Sequence, residues 1–172
     1  MDTNSLGVMN SLNKNGLNHG FTLIELLVTV AITAVVLGSS IAGYNNFNEN
    51  QKLKQAALTF KNNLRLAQSK AITAQRPVNF PDCEELYSYQ IQYINSTSYK
   101  MLSICVVNGT NTPSPDEMIF FLPTNVTFNS NFTNINFYRL SKGTTADQNI
   151  QLTSGARTVT VTLLNGDISI SY

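Results

Sequence analysis

Residues 19–28 read His19-Gly20-Phe21-Thr22-Leu23-Ile24-Glu25-Leu26-Leu27-Val28, and the apolar run they open continues to Tyr44. Of the 24 residues from Phe21 to Tyr44, sixteen are apolar, two are Gly, five are Ser or Thr, and one, Glu25, is charged. As a helix this stretch spans about 36 Å at about 1.5 Å per residue, enough to cross a bilayer. A cleaved secretory signal fits poorly, because the apolar run is too long and no A-x-A-like site closes it. Glu25 is the informative residue. A carboxylate deep in a membrane costs on the order of a few kcal/mol unless it faces protein and meets a cation. The span contains no Lys or Arg. The nearest candidate cation is an α-amino group made by cutting the chain before Phe21.

This stretch resembles the processing site of type IV pilins and type II secretion pseudopilins. The resemblance implies that a prepilin peptidase cuts after Gly20 and that the same enzyme methylates the new amine of Phe21. It further implies that Glu25, fifth after the cut, pairs with the N-terminal amine of a neighbouring subunit as a filament grows. The physics of each part agrees: Gly20 offers a protease no side chain to obstruct it. A buried carboxylate that is tolerable only when matched favours assembly in register more than it adds net stability. A plain membrane anchor is the alternative. Residues 1–20 read as the cleaved leader, with Met9 a second candidate start, which would leave a 12-residue leader containing Lys14. Charge counting alone orients the helix the other way, since Lys14 precedes the span and Lys52, Lys54 and Lys61 follow it.

Downstream, Leu53, Ala57, Phe60, Leu64, Ala67 and Ala71 recur at spacings of four and three, an amphipathic helical stripe. The pattern predicts a helix through residues 45–76, stopped by Pro77. If continuous with residues 21–44 it makes a rod of about 84 Å. Gly38 and Gly43, beside Ser39 and Ser40, are weak points along it. Six bases and no acid lie between Lys52 and Arg76. They read as a solvated face, as a surface for an acidic partner or nucleic acid, or as an electrostatic fit between subunits, since residues 77–172 carry seven acids and four bases. Leu64-Arg65-Leu66-Ala67-Gln68-Ser69-Lys70-Ala71-Ile72 resembles the segment after the membrane helix in GspH/FimT-type minor pilins, with Gln68 where that family often has Arg.

Residues 77–172 read as a β-rich globular domain. Strand formers cluster at Leu86–Ile94, Tyr99–Val107 and Met118–Leu122. Shorter runs fall at Val126–Phe128, Ile135–Tyr138 and Ile150–Leu152. At the end, Thr158–Leu163 alternates, Asn165-Gly166 supplies a two-residue turn, and Ile168–Tyr172 alternates again, a strong hairpin signal. Val159, Val161, Leu163, Ile168, Ile170 and Tyr172 then share one apolar face. The expected fold is therefore α+β and pilin-like: a long N-terminal helix packed on a C-terminal antiparallel sheet domain.

The remaining chemistry is sparse. The 172 residues carry 11 bases, 10 acids, one His and two Cys, and only 12% are charged. That balance excludes a strongly basic nucleic-acid domain as a whole-chain reading, and a single His excludes a His-rich metal site. No P-loop or G-x-G-x-x-G motif occurs. No nucleophile–base pair is evident, so the chain is read as no enzyme, with no cofactor and no metal. Asp82, Glu84 and Glu85 read as a solvated acidic turn in preference to a calcium site. Cys83 and Cys105 both fall outside the membrane on this reading, where oxidation favours a disulfide over two free thiols. Four Asn-x-Ser/Thr sequons, at Asn95, Asn108, Asn125 and Asn131, match chance in an Asn- and Thr-rich chain.

The leading expectation is a minor pilin or pseudopilin anchored in the inner membrane, with its C-terminal domain extracytoplasmic. Its partners would be the prepilin peptidase, other pilin or pseudopilin subunits, and membrane lipid. A DNA-binding minor pilin is a second reading. It is disfavoured because the terminal turn reads Asn165-Gly166-Asp167 and the only bases after Lys100 are Arg139, Lys142 and Arg157. An uncut, membrane-anchored β protein is the third.

Overall fold

The computed structural model describes residues 21–141, 144 and 147–172; of 39–43 and 45 it describes the backbone alone. Among the described residues one long helix, α1 (Leu23–Ile72), is followed by nine strands. It divides into two compact units, Met1–Ala42 and Gly43–Tyr172.

In the second unit the strands form two antiparallel sheets. The first holds β1 (Glu85–Asn95), β2 (Ser98–Val107), β3 (Thr110–Pro113), β4 (Met118–Phe121) and β6 (Ile135–Tyr138). β2 pairs with β1 on one side and is shared by β3 and β4 on the other, while β6 joins the free edge of β1. The second sheet runs β5 (Thr127–Phe128), β7 (Gln148–Ser154), β8 (Arg157–Leu164) and β9 (Asp167–Ser171). The expected antiparallel sheet domain is present, with its strands divided between two sheets.

The helical stripe explains how both sheets share one core. Leu53, Ala57, Phe60, Leu64, Ala67 and Ala71 are all buried, joined by Ala56. The alanines among them, Ala56, Ala57, Ala67 and Ala71, leave room for the sheets to approach, and Phe60 fills the space between. Its ring meets Tyr99 of β2 at 4.9 Å, Phe128 of β5 at 5.4 Å and Phe132 at 5.7 Å. Tyr99 stacks on Phe120 of β4 and accepts a 2.7 Å hydrogen bond from Asn63 Nδ2. Burial pushes its hydroxyl pKa up to about 12.

The helix ends earlier than the periodicity implied, at Ile72, not near Arg76. Ala74 turns to φ 50°. Its N–H bonds to the Ala71 carbonyl at 3.0 Å, and the Gln75 N–H reaches back to the Lys70 carbonyl at 2.9 Å. These are the two bonds of a Schellman stop, which normally has Gly at the left-handed position. The Cβ of Ala74 therefore carries a left-handed penalty, about 1–2 kcal/mol for an L-residue. Ala74→Gly removes it but adds freedom to the unfolded chain, so a net gain of about 0.5–1 kcal/mol is expected. A lower urea midpoint for this variant would contradict the assignment.

Two hairpins use Asn-Gly. Between β8 and β9, Asn165 (φ 51°) and Gly166 (φ 85°) both take positive φ. This turn is also held from outside: Asp147 Oδ1 accepts from Asn165 N at 2.7 Å, and Gln68 Nε2 donates to the Gly166 carbonyl at 2.7 Å. Val159, Val161, Leu163 and Ile168 are buried as expected, and Ile170 packs against the core. Tyr172 departs from that face. It is exposed, with the Lys54 ammonium 5.2 Å from its ring centre. The second hairpin, at Asn108 (φ 50°) and Gly109 (φ 75°), joins β2 to β3. Glu84 Oε1 accepts from the Asn108 N–H at 3.1 Å, which places one of the acidic-turn residues in a structural role.

Cys83 and Cys105 form a disulfide with Cα atoms 5.3 Å apart. Both are buried, and the bridge ties the approach to β1 onto β2. With a separation of 22 residues, it closes a loop worth about 3 kcal/mol in the chain-entropy picture.

Candidate functional site

The residues that carry chemistry gather at the start of α1. Gly20 and the expected leader, residues 1–20 with His19, lie outside the described residues. Phe21 is 83% exposed, and Thr22 forms the N-cap of the helix. The Thr22 N–H donates to Glu25 Oε2 at 3.0 Å, and the Thr22 hydroxyl donates to the same oxygen at 2.9 Å. In return the Glu25 N–H reaches Thr22 Oγ1 at 3.3 Å. This reciprocal pattern is a capping box, in which a Thr and a Glu three residues later satisfy otherwise orphaned N–H groups. Glu25 also belongs where the positive end of the helix dipole favours an anion. In the sequence, Glu25 stands out by its charge and by the processing motif. The Thr-x-x-Glu spacing before an apolar run is the signal that would have added Thr22.

Behind this cap the helix is apolar on every side. Leu23, Ile24, Leu26, Leu27, Val30, Ile32, Val35, Val36 and Leu37 are all more than half exposed. A helix without a polar face is built to lie in lipid or among other apolar helices. Its hydroxyls do not break that surface. Thr29 Oγ1 donates to the Leu26 carbonyl at 2.9 Å, and Thr33 Oγ1 donates to Thr29 and Val30 carbonyls at 2.8 and 2.9 Å. Among the described residues, no helix is long and apolar enough to cross a membrane. The apolar part with described side chains, residues 23–38, covers about 24 Å at about 1.5 Å per residue, against about 30 Å of hydrocarbon.

The second unit offers little reactive chemistry. Among the described residues no group of three His, Cys, Asp or Glu stands ready to hold a metal ion. A cavity of about 350 Å³ opens where α1 ends, lined in part by Lys70, Arg76, Tyr89, Ser103 and Asp116. Its polar groups are largely engaged with each other. The Lys70 ammonium lies 5.6 Å from the Tyr89 ring centre, and the Tyr89 hydroxyl donates to the Gln75 carbonyl at 2.9 Å. Burial raises the Tyr89 pKa above its ordinary value. Arg76 donates to the Cys83 carbonyl, and Asp116 accepts from Asn79.

Residues 16–41 match the family model described as the prokaryotic N-terminal methylation motif. This is the type IV pilin-like signal, and it runs through the cap and into the apolar part of α1. The motif indicates a prepilin-type protein, processed by a prepilin peptidase and assembled with pilin-type subunits as a membrane-anchored filament component. No curated protein matches the chain, and no solved structure does. The α+β architecture, a long N-terminal helix leading into antiparallel sheets, is pilin-like.

Proposed function

We propose that this chain is a minor pilin or pseudopilin of the GspH/FimT type, a structural subunit with no catalytic site of its own. On this reading residues 1–20 are the leader, the peptidase cuts between Gly20 and Phe21, and the amine of Phe21 receives one methyl group. Residues 21–44 then cross the inner membrane once, and the disulfide-bonded domain lies on the extracytoplasmic side. When a filament grows, the apolar helix leaves lipid for other subunits' helices, and its apolar surface stays out of water throughout. Glu25 pairs with the amine of the neighbouring subunit.

The observation that carries the reading is the methylation motif with Glu25 at the head of an exposed apolar stretch of α1 that holds no other charge. The disulfide supports an oxidising location for the second unit. The resemblance of residues 64–72 to the GspH/FimT segment supports the finer assignment, while Gln68, where that family often has Arg, ties the terminal hairpin to the helix. Intact mass and N-terminal sequencing of the membrane form test the proposal. The expected product begins at Phe21 and is heavier than the bare chain by one methyl group. A chain that keeps residues 1–20 in cells with an active prepilin peptidase would leave only the anchored β protein.

A further inference from the structure

A second place on the molecule has the makings of a binding site, independent of the helix. It is a shallow groove of about 260 Å³ lined by Glu85, Leu86, Tyr87, Val106, Tyr138 and Arg139. The strand register creates it. Leu86 pairs with Cys105 and Ser88 with the next residue, Ile104, so Tyr87 is an extra residue in β1. Bulges of this kind re-aim side chains, and Tyr87 is 42% exposed. Its ring meets Tyr138 edge-on, with centres 5.6 Å apart and planes at 84°. At the same place Arg139 pairs with Glu85, both side chains well exposed, and the Arg139 N–H donates to the Tyr87 carbonyl at 3.1 Å.

We propose that this groove, with the amide track beside it, binds a neutral hydroxyl-rich ligand, a short oligosaccharide. The charge balance argues first. Glu85 and Arg139 cancel, so neither an anion nor a cation gains by entering. A wholly apolar ligand would strip water from that ion pair and return nothing, which is costly. A sugar meets both halves of the groove. Its C–H face covers a tyrosine ring, and its hydroxyls accept from the guanidinium and donate to the carboxylate. Pockets that orient small ligands commonly combine an aromatic wall with a few placed polar groups.

The track extends the site. Gln90 pairs with Asn136 in register, two residues along from the Ser88–Tyr138 rung. Gln90 Nε2 donates to Asn136 Oδ1 at 2.6 Å, and Gln92 Nε2 donates to Gln90 Oε1. These bonds place all three amides on one face, and Tyr138, two residues from Asn136, shares it. All three amides are half-buried, so each still presents surface. From the Tyr138 rung to Gln92 the row runs four residues, about 13 Å at about 3.3 Å per residue. A row of uncharged donors and acceptors that long suits a chain of sugars better than a single one.

The test uses the full-length protein, in a detergent whose headgroup is not a sugar. Maltohexaose, cellohexaose and the hexamer of N-acetylglucosamine are titrated separately, with a heparin-derived hexasaccharide and a proline decamer beside them. Saturable binding of at least one neutral hexamer is expected, weakened at least about tenfold, 1.4 kcal/mol, in both Tyr87→Ala and Tyr138→Ala. Tyr87→Phe, which keeps the ring, should bind within about threefold of the natural chain. No neutral hexamer bound, equal binding without either ring, or tighter binding of the charged sugar or the peptide would each overturn the proposal. Thermal midpoints of the variants exclude loss of fold as the cause, and none of the readouts depends on filament assembly.

Discussion

Glu25→Val is expected to enter the membrane and lose residues 1–20 like the natural chain, yet to be missing from filaments. The substitution removes the one charge in the apolar stretch, so insertion becomes easier, not harder. Assembly suffers, because the amine of a neighbouring subunit would be buried without a counter-charge. Breaking a buried ion pair by removing one partner costs about 3–5 kcal/mol. At 1.4 kcal/mol per factor of ten, incorporation should fall at least about a hundredfold. Glu25→Gln separates the two jobs of this residue. A Gln still serves in a capping box but carries no charge. If its incorporation matches that of Val, charge is the determinant. Filament fractions that contain Glu25→Val at natural levels would remove the pairing role altogether.

Phe60→Ala should be the most damaging single change in the domain, costing about 3–5 kcal/mol. Phe60 is fully buried and its ring contacts partners from β2, β5 and the segment before β6. Truncation opens a void that neither sheet can close without leaving the other. Against a total stability of about 5–15 kcal/mol, that loss leaves little margin. Phe60→Leu, which keeps most of the volume, should cost far less. Urea unfolding of the unit Gly43–Tyr172 measures both. A Phe60→Ala change below about 1 kcal/mol would mean the two sheets are joined elsewhere.

Much of this was legible because the signals are local and periodic. The helical stripe follows from spacing alone, and every one of its six residues is buried. The terminal hairpin follows from Asn165-Gly166, since few residues other than Asn and Gly accept positive φ in succession. The same dipeptide at Asn108-Gly109 drew notice only as part of a chance Asn-x-Thr match. The strand it opens, β3, is short and polar, so no alternation drew notice to it. The division into two sheets was not legible, because it depends on which strands pair across long intervals, as β1 does with β6. The end of α1 was placed by Pro77, whereas the backbone turns at Ala74, a residue type with no preference for that conformation. At the candidate site, Phe21 and Glu25 stood out by motif and charge. Thr22 did not, because an ordinary polar residue becomes informative only through its partner three positions on.

The hydroxyls of Thr29 and Thr33, folded onto carbonyls of their own helix, have a consequence for motion. Neither oxygen asks anything of the surroundings, so exchanging one hydrocarbon-like medium for another breaks no hydrogen bond at these positions. The barrier to sideways passage is then set by shape and friction, and the helix can slip between environments as a greased surface would. A single donor pointing outward at either position would act as a catch.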